Sequence, residues 1–295
     1  MILVAGGTGR LGSQLVPLLT AAGRRVRVLT REPARAQPLA GDLVEVAAGD
    51  VREPDSLAAA SKGVSTVVSA VQGFVGPAGI SPRSVDHEGN VNLIRAAEAA
   101  GAEHFVLVSV IDAAPDHPME LMRMKHRAEE ALKASQLAWT IVRSAAFMEL
   151  YAGLVGGPLL EKGRTTVFGR GDNPNNFVSV GDVARFVAMA VADPALRGQV
   201  LEVGGPESLT FNQLAGRFQR LTGGRGSIGH VPLPVMRVLA VAAKPFQPAL
   251  ARQVQAGVVM DTRDNRFDAT PVRGRYPDIP VTSLDEVIAR DYAAR

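Results

Sequence analysis

The chain has 295 residues, 46% of them hydrophobic and 21% charged, and it has no cysteine. That balance excludes a mainly disordered protein, and a chain this long can bury a sizeable core without staples. The missing cysteine excludes a disulfide scaffold, a cysteine nucleophile, an iron–sulfur cluster and a thiolate zinc site, and it fits a reducing compartment. The net charge of +3, from 32 basic and 29 acidic residues, is too mild to argue for nucleic acid. Met1-Ile-Leu-Val-Ala-Gly-Gly has no basic n-region, so no signal peptide is expected. The longest later apolar stretch, Val235 to Phe246, carries Arg237 and Lys244 and is too short and too charged for a membrane span. The expectation is a cytoplasmic protein with no nucleic-acid or membrane partner.

In chain order, short β-rich runs occur at Ile2–Ala5, Val26–Leu29, Leu43–Val46, Thr66–Ala70, Phe105–Val108 and Trp139–Val142. Stretches of helical length lie between them, most clearly Leu11–Ala22, Ser84–Ala100 and Glu120–Ser135. Strands alternating with helices predict βαβ units, and continuous apolar strands predict a parallel sheet covered on both faces. The expectation is an α/β, doubly wound parallel sheet over residues 1–145. After that the pattern loosens, with segments rich in Gly, Pro and Asn at Gly153–Pro158, Gly169–Asn176 and Gly223–Gly229. Helices are predicted at Val183–Ala192, Asn212–Leu221 and Leu284–Ala293, the last with a capping box from Ser283 and Glu286. Strand-like pieces are Thr166–Phe168, Phe177–Val180 and Val200–Val203. Residues 146–295 are therefore expected to form a smaller α/β lobe over the C-terminal edge of the sheet, part of it returning to extend that sheet.

The first chemical signal is Gly6-Gly7-Thr8-Gly9-Arg10-Leu11-Gly12, directly after the first strand and opening a helix. Read as Gly6-x-x-Gly9-x-x-Gly12, it has the spacing of a dinucleotide-binding turn. Glycines permit the tight turn and the close approach of backbone N–H groups to a pyrophosphate, and the helix N-terminus adds its positive end. The second strand ends at Thr30-Arg31-Glu32, with Arg35 one turn on. An NAD site usually has an acid there for the ribose 2′-hydroxyl, whereas a guanidinium suits a 2′-phosphate. This favours NADP over NAD, although Glu32 could accept from a ribose hydroxyl. Asp50 and Val51 follow the third strand, where an Asp could accept from the adenine amine or could simply be a turn carboxylate. Ala70 ends the fourth strand, where the backbone would pass the cofactor ribose.

Ser109 ends the fifth strand, where a nicotinamide would lie in this architecture. Lys125 and Glu129 sit four apart on the next predicted helix. Two readings stay open: a surface ion pair worth a few tenths of a kcal/mol, or a Lys125 that reaches into the cleft to hold ribose hydroxyls or move a proton. The five histidines show no ligand spacing, so no metal site is expected, and Ser109 lacks a nucleophile-elbow setting.

These motifs resemble an atypical short-chain dehydrogenase/reductase of the NmrA-like, NAD(P)-binding family. The resemblance rests on the glycine turn, Thr30-Arg31, Gly49-Asp50, Ser109-Val110 and Lys125-His-Arg-Ala-Glu-Glu-Ala-Leu. It continues through Trp139-Thr-Ile-Val-Arg143, Phe147-Met148-Glu149 and Phe177-Val-Ser-Val-Gly-Asp182. It implies a Rossmann-like fold and a nicotinamide cofactor, NADPH by the reading of Arg31. Most short-chain dehydrogenases place a Tyr four residues before the Lys; here that position is Leu121, so the usual Ser–Tyr–Lys relay cannot operate. Relatives of the phenylcoumaran and isoflavone type use the Lys as acid and base, which makes Lys125 the catalytic candidate, with Ser109 beside it. Phe147, Met148 and Tyr151 are candidates for an apolar substrate pocket suited to a quinone, enone or carbonyl, with plain packing as the alternative. Arg143 is followed by Ser144 where the family commonly has Pro. Two functions follow: an NADPH-dependent reductase of a small apolar molecule, or a non-catalytic NAD(P) sensor that binds a protein partner. A nucleotide-sugar epimerase ranks lower, because it also needs the Tyr. A homodimer stays open, since helix faces that dimerise read like faces that pack inward.

Overall fold

The apolar runs of the first half form six strands, and their spacing allows little else. A computed structural model describes residues 1–76 and 79–292. In chain order the first elements are β1 (Ile2–Ala5), α1 (Gly12–Ala21), β2 (Val26–Thr30), β3 (Val44–Ala48), α2 (Pro54–Ala60), β4 (Thr66–Ser69), α3 (Asn90–Ala99), β5 (His104–Val110), α4 (Glu120–Lys133) and β6 (Ala138–Ser144). A stretch of π-helix, Pro82–Gly89, runs straight into α3. The second half contributes β7 (Ala146–Phe147), α5 (Met148–Lys162), β8 (Arg164–Phe168), β9 (Asn175–Val178), α6 (Val180–Ala192), β10 (Gln199–Val203), β11 (Ser208–Leu209), α7 (Phe211–Thr222), β12 (Ser227–Val231), α8 (Leu233–Ala242), α9 (Pro248–Thr262), α10 (Thr270–Arg275) and α11 (Leu284–Tyr292).

The main sheet has seven strands in the order β10-β6-β5-β4-β1-β2-β3. The pairs β1–β2, β2–β3, β1–β4 and β4–β5 are parallel. This is the expected doubly wound, Rossmann-like fold. Strand order reverses between β1 and β4, and ligands in such sheets bind outside the strand C-termini at that point. The middles of the central strands are apolar, as burial on both faces requires; Leu3, Val4, Ala5, Val67 and Val68 are fully buried. Each Leu or Val side chain among them contributes about 1.5–3 kcal/mol by leaving water. Edge strand β3 is held differently, by Glu45 accepting from Arg25 at 3.0 Å and Arg27 at 2.9 Å.

The chain divides into two compact units. The first is Met1–Arg143 with Val183–Glu202, and the second is Ser144–Asp182 with Val203–Arg295. The second unit has its own core around Met148, Phe177, Leu214, Phe218 and Val287. There the structure corrects one sequence expectation. Gly153–Pro158 is not a loose segment but lies inside α5. A Cβ on Gly156 would stand 2.0 Å from the Phe218 ring, so the glycine is there to let α5 pack against α7. Helix α6 also starts at Val180, earlier than the pattern indicated. The Glu149 carboxylate accepts from the Val180 N–H at 3.0 Å and the Ser179 hydroxyl at 2.9 Å, which supplies the missing start signal. The capping box of α11 forms as read: the Glu286 N–H donates to Ser283 Oγ at 3.2 Å, and the Ser283 N–H to the Glu286 carboxylate at 2.7 Å. Ala293 lies outside the described residues.

Candidate functional site

The turn after β1 admits only glycine at three of its positions, Gly6, Gly7 and Gly12. Gly6 has φ +83°, the left-handed region, and a Cβ there would stand 2.7 Å from the Ala70 carbonyl oxygen. A Cβ on Gly12 would lie 2.3 Å from the Gly6 carbonyl oxygen and 2.4 Å from Gly7 Cα. Gly7 is equally confined, since its Cβ would meet Val28 at 2.8 Å, so the second glycine matters for packing as well as the three in the spacing. The Gly9 N–H closes the turn onto the Gly6 carbonyl at 2.9 Å. Leu11 is buried, Gly9 and Arg10 are exposed, and no side chain caps the N-terminus of α1. The result is a backbone-lined turn, pinned to Ala70 at the end of β4, with a helix N-terminus behind it. The residues present therefore fit a pyrophosphate, which needs close backbone approach and an uncapped helix start.

Thr8 links the turn to the end of β2, its hydroxyl 3.4 Å from that of Thr30. Arg31 and Arg35 are both exposed just beyond that strand. The Glu32 carboxylate is 3.8 Å from Arg35, an exposed pair of small energetic worth. Asp50, after β3, is buried and gripped by Arg52: the Arg52 N–H donates to Oδ1 at 2.9 Å, and its guanidinium reaches Oδ2 at 2.6 Å. That hydrogen-bonded guanidinium holds the Asp50 carboxyl below the usual carboxylate range. Of the two readings of Asp50, the turn carboxylate is therefore visible. Val51 is buried, and its carbonyl accepts from the Asn92 side chain at 3.1 Å.

Lys125 does not form the surface pair with Glu129. It is 3% exposed, and its ammonium donates to the carbonyls of Val71 at 3.1 Å and Val108 at 3.0 Å. Its counter-ion is Asp86, from the π-helix, whose Oδ1 lies 3.1 Å away without a well-aligned hydrogen bond. The other Asp86 oxygen accepts from the Gly73 N–H at 2.8 Å. Burial pushes the Asp86 carboxyl above its ordinary value, with the Lys125 charge acting against that. Asn90 completes the cluster, donating to the Asp86 carbonyl at 2.8 Å and accepting from the Ser69 hydroxyl at 2.6 Å. Lys125 thus ties together the chain just past β4 and the end of β5, beside the switch point of the sheet. Sequence reasoning missed Asp86 and Asn90. Both sit in a segment read only as helical, and nothing local marks them.

Glu129 is fully buried and pairs instead with Arg143 at 2.6 Å; Arg143 also reaches Glu202 at 3.1 Å. Ser109, 1% exposed, donates to Glu129 at 2.5 Å. Its hydroxyl proton is thereby committed to a carboxylate inside the first unit. Leu121, where a Tyr would be needed, is buried.

The three pocket candidates lie in the second unit. Met148 is fully buried in its core, and Phe147 is half-buried in β7, paired in register with Val178. Tyr151 packs against Phe177 and Phe211 with ring centroids 5.2 and 5.6 Å away, and its hydroxyl donates to Met260 Sδ at 3.1 Å. Burial pushes its phenol up to about 12. All three thus take part in the packing of that unit.

A doubly wound sheet with a glycine turn at its switch point defines a dinucleotide-binding protein. The chain belongs to the NAD(P)H-binding family, within the NmrA-like, atypical short-chain dehydrogenase/reductase group; residues 6–194 match that family. It is 34% identical over 227 residues to an NAD(P)H azoreductase of Xenophilus azovorans, covering 76% of this chain and 74% of that one. It is 30% identical to the photosystem II assembly factor Ycf39 of a Synechocystis strain, over 83% of this chain and 75% of that one. Quinone oxidoreductase 2 of Escherichia coli is 26% identical over 98% of both chains. A crystal structure of an NADPH-dependent quinone oxidoreductase, QOR2, from Escherichia coli shares the fold. Its TM-score is 0.77 at 23% identity, with 98% of this chain and 99% of that one covered. No helix among the described residues is long and apolar enough to cross a membrane.

Proposed function

We propose that this chain is an NADPH-dependent oxidoreductase that reduces a small apolar molecule, with quinones first, then enones and carbonyls. The observation that carries the reading is the glycine turn at the sheet's switch point, in a chain whose relatives include an NAD(P)H azoreductase and a quinone oxidoreductase. When bound, the nicotinamide supplies the hydride. Gly6, Thr8, Gly9, Arg10, Leu11 and Gly12 hold the pyrophosphate, Arg31 reads the 2′-phosphate, and Asp50, Val51 and Ala70 border the adenosine side. NADP is preferred to NAD because the residue after β2 is a guanidinium rather than an acid.

Lys125 lies at the strand ends and serves as the proton donor, with one condition that its geometry sets. Its ammonium is held by two carbonyls and Asp86, so donating to an acceptor oxygen means exchanging one carbonyl for that oxygen. A quinone relaxes this demand, because its reduced oxygens can take protons from water. Ser109 positions Glu129 rather than delivering its own proton. Phe147, Met148 and Tyr151, candidates for the substrate pocket, would act there as packing residues of the second unit rather than by direct chemistry.

The test is oxidation of NADPH by the purified chain with a panel of quinones, enones and carbonyls. The expected result is acceptor-dependent turnover that Lys125→Ala lowers most for carbonyls and least for quinones. Full turnover of every acceptor by Lys125→Ala would remove it from the chemistry.

A second reading is favoured by Leu121, which cannot transfer a proton, and by the likeness to Ycf39. In it the chain senses NAD(P) and binds a partner protein without turnover. Binding of NADPH with no oxidation by any acceptor would select that reading.

A further inference from the structure

Helix α8 is apolar on two sides. Met236 is fully buried, and its methyl lies where a Cβ on Gly257 would come within 2.9 Å, so that side packs on α9. At about 100° per residue, Val235, Val238 and Ala242 fall well away from Met236. They are solvent-exposed there, Val238 at 68%, with Val241 beside them at 75%. Just past the helix, between Pro245 and Pro248, Phe246 is 85% exposed. An aromatic and a run of branched aliphatics are thus held in water on one helix and its C-terminal turn. Scattered apolar residues need no explanation, but a contiguous set of this kind marks an interaction surface.

The charge around it selects the partner. Arg237, on α8 about 100° round from Met236, and Lys244, in the turn just past the helix, are both exposed. From the start of α8 through residue 260 of α9 the sequence has Arg237, Lys244 and Arg252 and no acidic residue. A two-fold pairing of this face with a second copy would bring cations against cations with no exposed acid from the helix or its neighbour to meet them, since Asp261 of α9 is buried. An apolar face edged by Lys and Arg, with an exposed Phe at one end, is instead the pattern of a helix lying in a bilayer interface. The segment too short and too charged to span a membrane has the composition to lie on one.

We propose that α8 and the turn through Phe246 form a docking surface for an anionic phospholipid bilayer. The apolar side chains enter the acyl boundary and the two cations stay among the lipid phosphates. This stands independently of the reaction assigned to the chain.

The experiment is co-sedimentation of the full chain with vesicles of phosphatidylcholine alone, and of phosphatidylcholine with about one third phosphatidylglycerol. The expected result is binding to the anionic vesicles only, weakening as salt is raised. Val238→Asp with Val241→Asp is expected to lower partitioning at least about tenfold. Arg237→Gln with Lys244→Gln should lower it about fivefold per cation. All four residues are exposed, and unchanged NADPH binding and melting serve as controls for folding. Absence of binding, equal binding to both vesicles, or binding indifferent to both double variants would overturn the proposal. So would a concentration-dependent dimer that Val238→Asp with Val241→Asp dissolves, which would assign the face to a second copy.

Discussion

Replacing Lys125 by Met tests the buried pair most sharply. The Lys125 and Asp86 side chains are 4% and 0% exposed. The change leaves the Asp86 carboxylate with the Gly73 N–H and no counter-ion, and two carbonyls without their donor. Removing one partner of a buried pair costs about 3–5 kcal/mol, because the other charge stays behind. Lys125→Met combined with Asp86→Asn leaves no buried charge, and should recover about 1–3 kcal/mol of that loss. The pH dependence has a definite sign. Burial already raises the Asp86 carboxyl above its unfolded value, and Lys125 opposes that rise. Without Lys125 the folded value moves further up. Stability from an acid raised on folding is present below the unfolded value and is lost as pH rises through the folded one. The deficit of Lys125→Met should therefore be smallest near about pH 4, where only the lost carbonyl contacts remain, and grow toward about pH 8. Urea unfolding followed by Trp139, the sole tryptophan, which sits in β6 of the same unit, reports it. A Lys125→Met protein as stable as the parent across this range, or one whose deficit shrinks as pH rises, would refute the reasoning.

Three further outcomes are expected. Gly12→Ala puts a Cβ against backbone atoms that cannot yield, so it should cost about 1–3 kcal/mol and at least about tenfold in nucleotide affinity, read by melting and by titration. Arg31→Glu should weaken NADPH at least about tenfold while leaving NADH binding little changed, as calorimetry would show. Tyr151→Phe loses one weak contact to Met260 and keeps both ring contacts, so stability should change by under about 1 kcal/mol and turnover should not move. A large fall in kcat for Tyr151→Phe would give the phenol a chemical role instead.

The glycine turn was legible in the sequence because its requirements are local: a strand, a spacing and a helix start, all within a dozen residues. The parallel sheet was legible for the same reason, since continuous apolar runs such as Leu3–Ala5 and Val67–Val68 describe strands buried on both faces. What escaped is what tertiary structure decides. Spacing within α4 pairs Lys125 with Glu129, but the fold pairs Lys125 with Asp86 and Glu129 with Arg143. Neither partner shares an element with the residue it neutralises. Helix α5 was hidden because Gly156 and Pro158 read as breakers, while the space Gly156 leaves is taken by the Phe218 ring. The early start of α6 depends on Glu149, a residue on another helix.

The most direct test of the central claim, a nicotinamide dinucleotide held by Gly6–Gly12 with NADP preferred through Arg31, is calorimetric titration of the apo-chain with NADPH, NADP⁺, NADH and NAD⁺. The account expects tight binding of the phosphorylated forms, with NADPH favoured and the selectivity lost in Arg31→Glu. Binding of none of the four nucleotides would contradict it.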